Sequence, residues 1–145
     1  MRHTRIIVTH YGGPDALRVV EEECPEPRDG EVRVRVLAAG VSMPDIMARE
    51  GVHPETPLVP FTPGWDLVGV VDRLGAGVSR IESGQVVAAM PRQRRLDLLQ
   101  QQKIKSLIAQ RFPLAEARQA HELLGQGGVT GKIVLVCNGP SLESR

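Results

Sequence analysis

The sequence predicts a mainly β domain carrying a few helices, an α+β fold. Three observations point there. Short β-branched runs recur between corners rich in glycine and proline, which number 15 and 11. Several of those runs alternate, or are apolar over five or six residues, as strands are. Helical periodicity is confined to short stretches around residue 45 and beyond residue 95. A chain of 145 residues is long enough for one domain with a core. Its 41% apolar and 24% charged residues exclude a wholly disordered chain.

The elements follow in order. Arg5-Ile6-Ile7-Val8 reads as a first strand. The turn Tyr11-Gly12-Gly13-Pro14-Asp15 and a second run over 17–20 follow at hairpin distance. Pro25-Glu26-Pro27 is a stiff connector. In Glu31-Val32-Arg33-Val34-Arg35-Val36 the valines share one face and the charges the other, the pattern of a half-buried antiparallel strand. Residues 43–50 form one or two helical turns, with Pro44 tolerated at the start. Pro54, Pro57, Pro60 and Pro63 exclude regular helix from 51–63, which reads as a long ordered loop. Residues 67–71 and 86–90 are strand-like, with Gly75-Ala76-Gly77 as turn material between them. Pro91-Arg92-Gln93-Arg94-Arg95 is polar and without periodicity. Leu96, Leu98, Leu99 and Ile104 predict a short amphipathic helix, and 106–109 an extended segment. A second helix opens at 113–117, runs to Leu124 and ends at the glycines from Gly125. Residues 132–137 form a last buried strand, expected to pair with N-terminal strands, and 140–145 a frayed tail.

Charge narrows the function classes. Lysine plus arginine is 18 against 17 acids, a net charge of +1, which argues against nucleic acid or an anionic membrane as partner. With aromatics at 3%, a stacking platform for single strands is excluded too. No stretch approaches the ~18–20 apolar residues of a membrane span, and residues 1–8 lack the apolar run of a signal peptide. The expected location is cytoplasmic. Cys24 and Cys137 form no framework, so both are expected reduced. His3, His10, His53 and His121 are scattered without ligand spacing, and no metal is expected. Arg92, Arg94 and Arg95 read as a solvated junction, and His121 as a helix-surface or boundary residue.

Two stretches go beyond pattern. The first is Ala38-Ala39-Gly40-Val41-Ser42-Met43-Pro44-Asp45, then Pro63-Gly64-Trp65-Asp66-Leu67-Val68-Gly69-Val70-Val71 and Gly75-Ala76-Gly77-Val78. The second is Phe112-Pro113-Leu114-Ala115-Glu116-Ala117, then His121-Glu122-Leu123-Leu124 and Gly128-Val129-Thr130-Gly131-Lys132-Ile133-Val134-Leu135. Together they resemble the medium-chain dehydrogenase/reductase superfamily, in its zinc-independent, quinone oxidoreductase-like branch. The resemblance implies a GroES-like catalytic domain, a bent β-barrel closed by a C-terminal helix-strand segment. It implies one domain over 1–145. Residues 1–90 form its N-terminal part, 91–95 a junction, 96–139 the returning segment and 140–145 the tail. In that family a Rossmann domain binding NADP(H) lies between the two stretches. Here no glycine fingerprint stands between them. The run Gly125-Gln126-Gly127-Gly128-Val129-Thr130-Gly131 follows a helix and precedes a strand, the reverse of a dinucleotide turn. The chain therefore reads as the catalytic domain alone, with no tight binding of NADPH and no turnover by itself.

The parental reaction implied is NADPH-dependent hydride transfer to a quinone, or to an activated alkene or carbonyl. Zinc-dependent relatives place a cysteine in the segment matching Gly40 to Asp45 and a histidine after the glycine matching Gly64. This chain has Ser42 and Trp65 there, which cannot replace a thiolate and an imidazole. Ser42 is then a catalytic candidate for holding the developing anion, or it bonds local backbone at a helix start. Asp45 is a second catalytic candidate, or it anchors that turn. Met47, His53, Trp65 and Asp66 are the substrate-pocket candidates. Met47 stands where some quinone reductases carry tyrosine and offers a soft apolar wall. His53, in the proline-rich loop, is a proton donor or a solvated loop residue. Trp65 packs in the core or forms a flat wall for a quinone. Asp66 is a structural hydrogen-bond partner at the base of the cleft. The other class of reading is a non-catalytic module. It would bind a small apolar ligand, a protein or a second copy through the exposed cleft face.

Overall fold

The computed structural model describes residues 1–90, 95–98 and 107–137. The first unit is a hairpin of β1 (Arg2–Val8) and β2 (Leu17–Glu23), joined through a 3-10 turn at Pro14–Ala16. The strands pair antiparallel from Val8↔Leu17 out to Arg2↔Glu23. Alternation along β1 turns Ile6 and Val8 into the core. On the other face Arg5 meets Glu22 at 2.9 Å, and at the far end of the core-side face Arg2 meets Glu21 at 3.7 Å.

The remaining elements are β3 (Val32–Val41), α1 (Met43–Glu50), β4 (Leu67–Leu74), β5 (Val86–Met90), β6 (Arg95–Leu98), β7 (Ile108–Pro113), α2 (Ala117–Gln126) and β8 (Lys132–Val136). The strands form one sheet in the order β6-β5-β4-β3-β8-β7. Pairing is antiparallel except between β7 and β8. A parallel pair needs a crossover, and α2 supplies it. As the sequence predicts, the C-terminal strand pairs with an N-terminal one, from Ala38↔Val136 to Val41↔Ile133. Among the described residues, hydrogen-bonded pairing runs as this six-stranded sheet and the separate hairpin, without a continuous ring. The hairpin meets the rest of the chain through the antiparallel bridge Val8↔Phe61.

The structure corrects the sequence in four places. The helix expected from Leu96 and Leu98 is instead β6, paired to β5 from Met90↔Arg95 to Val87↔Leu98. A spacing of two fits a strand as well as a helix, and the free edge of β5 decides the case. Leu99 and Ile104, like 91–94 and the tail at 140–145, lie outside the described residues. The junction expected over 91–95 gives Arg95 to β6. The second helix begins with a 3-10 turn at Leu114–Glu116 and runs to Gln126, two residues past Leu124, before Gly127 turns the chain at φ 79°. Finally, the valine and arginine faces of β3 do not stay separated. Bulges between Arg33 and Val34 and between Val36 and Ala38 rotate the strand. Arg33 is drawn in to Asp72 of β4 at 2.9 Å and to Glu26 at 3.3 Å.

The core joins Ile6, Val8, Leu17 and Phe61 to Val41 of β3, Ala48 of α1, Phe112 of β7, Ala117 and Ala120 of α2, and Ile133 and Leu135 of β8. It lies between the hairpin, both helices and the β3-β8-β7 part of the sheet. Among the described residues, the returning segment therefore supplies five of the twelve buried residues of this core.

Candidate functional site

Three segments converge where β3 ends: the β3–α1 junction, the loop over 51–66 and the start of β8. Ser42, in extended backbone, ends the strand and caps α1, and Pro44 lies in the first turn. Gly51, at φ 81°, closes the helix. Asp45 turns its carboxylate back on the cap. Its Oδ2 accepts the Ser42 N–H at 2.9 Å and the Ser42 hydroxyl at 2.8 Å. Asp45 is 2% exposed. Burial pushes its carboxyl above the ordinary value, and the charge of Asp66 adds to that. The two Ser42 bonds and the Gly64 N–H pull the other way. Its buried Oδ1 has no hydrogen-bond partner. The two readings of Ser42 thus merge: it starts the helix, and its proton points at the buried acid.

Asp66 stands just before β4 and does more than the sequence indicates. The β3–β4 ladder ends at Ala39↔Leu67. The Asp66 Oδ1 then takes the next amide, Gly40 N–H, at 2.9 Å. Its Oδ2 takes the Lys132 ammonium, from β8, at 2.7 Å. The Lys132 stem passes over bare backbone at Gly40, where a Cβ would overlap both Lys132 Cε and Asp66 Oδ1. Sequence reasoning missed Gly40 and Lys132. The available signal was a lone lysine opening an otherwise apolar strand.

His53 and Trp65 are brought together across the loop, ring centroids 4.9 Å apart and planes at 54°. His53 Nδ1 accepts the Glu55 N–H at 3.0 Å, so in the neutral ring the proton resides on Nε2. The His53 carbonyl accepts the Thr56 hydroxyl at 2.6 Å. The Met47 carbonyl accepts the Val52 and His53 N–H groups at 2.9 and 3.3 Å, which fastens the end of α1 to the loop. Met47, His53, Trp65 and Asp66 are all partly exposed. Met43, Val52 and Leu58, on the same helix and loop, are exposed, Leu58 to 88%.

His121 is not a surface or boundary residue. It is 3% exposed, because Ala117, Ala120 and His121 form the inward face of α2. Burial, and then the nearby charge of Arg49, push its pKa down to about 4. Its Nδ1 is buried without a partner. Arg49, at 2% exposure, donates to the Gly12 carbonyl at 2.7 Å and to Glu50 at 3.2 Å, and accepts the Gly12 N–H at 3.0 Å. It clips the first turn of the chain to α1.

Cys24 and Cys137 are free thiols. Among the described residues no group of three or more His, Cys, Asp or Glu is placed to hold a metal ion. Nor is any helix there long and apolar enough to cross a membrane. Gly127, Gly128 and Gly131 lie between α2 and β8, so the described residues contain no glycine-rich strand-to-helix turn.

Comparison with known proteins gives the family. Residues 28–138 match the model of the alcohol dehydrogenase GroES-like domain. The human synaptic vesicle membrane protein VAT-1 homolog-like is 37% identical over 84 residues, 58% of this chain and 20% of that one. Its crystal structure superposes with a TM-score of 0.59 at 36% identity, covering 61% of this chain and 29% of the other. Quinone oxidoreductase of Sus scrofa is 37% identical over 83 residues, 57% of this chain and 25% of that one. Escherichia coli quinone oxidoreductase, solved in complex with NADPH, gives a TM-score of 0.57 at 33% identity, covering 61% of this chain and 27% of the other. This chain thus spans about a fifth to a quarter of the length of the curated relatives. Its mainly β fold, its strand order and the matched segment together make it a GroES-like domain of the medium-chain dehydrogenase/reductase family.

Proposed function

We propose that this chain is the substrate-holding domain of an NADPH-dependent oxidoreductase. Its substrate would be a quinone, or an alkene or carbonyl activated in the same way, and it would work without zinc. The observation that carries this reading is the 2.8 Å bond from Ser42 to the buried Asp45. It lies in the segment where zinc-dependent members carry a cysteine. The pair offers a proton store in place of a Lewis acid. When Asp45 is protonated, its Oδ2–H donates to Ser42 Oγ, and the Ser42 hydroxyl is free to donate outward. Reduction of a carbonyl leaves negative charge on its oxygen. That oxygen takes the Ser42 proton while Ser42 takes the Asp45 proton, so Asp45 ends as the carboxylate. Burial supports this role, because it favours the protonated acid. The flat face of Trp65 beside His53 supports a planar ligand, and quinone oxidoreductases among the relatives support the substrate class. No hydride step is assigned to the described residues, and the chain alone is expected not to turn over.

The test uses the fluorescence of Trp65, the single tryptophan. Titration with 1,4-naphthoquinone should quench it saturably, naphthalene should do so weakly, and NADPH alone should produce no saturable change. Quenching that rises linearly, as for free tryptophan, would refute the quinone reading. Partner capture would then favour a binding module, for which the exposed Met43, Val52 and Leu58 are the supporting observation. NADPH oxidation by the chain alone would refute its inactivity.

A further inference from the structure

We propose that Arg18 and Arg118 form an anion-binding pair at the mouth of an apolar cavity, a site for a small monocarboxylate with an alkyl tail. The site shares no residue with the Ser42–Asp45 junction, so it stands independently of the function proposed above. One guanidinium comes from β2 and the other from the first turn of α2, and they converge on a single oxygen. The Leu17 carbonyl accepts Arg118 Nε–H at 3.0 Å, Arg118 Nη2–H at 2.9 Å and Arg18 Nη1–H at 3.2 Å. Arg18 Nη1 also donates to the Asp15 carbonyl. Two cations are thus held side by side by neutral acceptors. Among the described residues neither forms an ion pair with a carboxylate. Asp15, the acid in the adjoining turn, sets its own carboxylate against His10, at 4.0 Å.

Beside the pair lies a cavity of about 230 Å³, between the hairpin and the start of α2. Ile6, Leu17 and Ala117, all buried, form its floor, and Val19 and Ala115, both exposed, its rim. The backbone ties fix each guanidinium and leave further N–H groups to donate, in the planar fork that a carboxylate matches with both oxygens. An apolar floor gives nothing to a bare inorganic anion, but it favours an alkyl tail that leaves water. Charge and shape together select a molecule with one carboxylate and a short apolar body. Such a ligand touches the hairpin and the returning segment at once. Its binding strengthens the seam that the Leu17 carbonyl and Arg118 already make.

The test is calorimetric titration of the chain with sodium octanoate, octanol and inorganic phosphate, with amide NMR to place what binds. Octanoate should bind saturably and shift the amides of Leu17, Val19 and Ala117. Octanol lacks the charge and phosphate lacks the tail, so each should bind at least about tenfold more weakly. Arg18→Gln and Arg118→Gln should each lower octanoate affinity by about tenfold. Ala115→Leu narrows the cavity and spares both arginines, and should weaken octanoate too. Octanol or phosphate binding as tightly as octanoate would overturn the proposal. So would shifts centred on Trp65 instead, or wild-type affinity in Arg18→Gln. Should Arg118→Gln fail to fold for loss of its tie to Leu17, Arg18→Gln, at an exposed position, decides the case alone.

Discussion

His121 couples stability to pH. In the unfolded chain it titrates at its ordinary value of 6.5, and in the folded chain at about 4. Between those values the unfolded chain binds the proton and the folded chain does not. Stability is therefore complete above about pH 6.5 and declines as the pH falls toward 4. Urea unfolding at pH 5 should give a free energy about 2 kcal/mol below that at pH 7.5. His121→Gln should flatten that slope, and an equally steep slope in the variant would assign it elsewhere. Asp45 acts in the opposite sense. Its raised carboxyl takes up a proton more readily in the folded chain, so it offsets part of the loss toward the acid end. Neither effect was legible from residue type. A histidine in a helix gives no sign of which face turns inward until the neighbouring sheet is placed. The helix-start role of Ser42 and Asp45 was legible, because a serine three residues before an acid at a helix start has few ways to bond. Lys132 was not, because its partner Asp66 is 66 residues away.

At the scale of elements, α1 depends on its first turn. Ser42→Ala removes both the cap and the hydroxyl that satisfies Asp45, and should cost about 1 kcal/mol in urea unfolding. Ser42→Thr, which keeps the hydroxyl, should recover most of it. Equal stability of Ser42→Ala and wild type would show that the cap contributes nothing. Strands with apolar runs and helices with clear ends were read correctly from sequence, including β4, β5, α1 and β8. The exceptions have local causes. Residues 95–98 carry leucines two apart, and only the open edge of β5 makes them a strand. Along β3 two bulges separate the pattern of side chains from the pattern of burial.

For the whole molecule, the expectation that the last strand joins the first part of the chain was correct, and it defines the architecture. The exact neighbours were not legible, since sheet order depends on contacts remote in sequence. β3 has ladder partners on both sides, β4 and β8, and its residues from Ala38 to Val41 also adjoin the core and the start of α1. In terms of exchange with deuterated solvent, this makes the middle of the sheet its slowest clock. Amides of β3 and β8 should exchange only through global unfolding, while those of the edge strands β6 and β7 open locally and sooner. Comparable rates in the centre and at the edges would contradict that ranking. Ser42, Gly40 and the lysine that crosses it are thus carried by the part of the molecule that opens last. Whatever this domain holds, it holds from its least yielding strand.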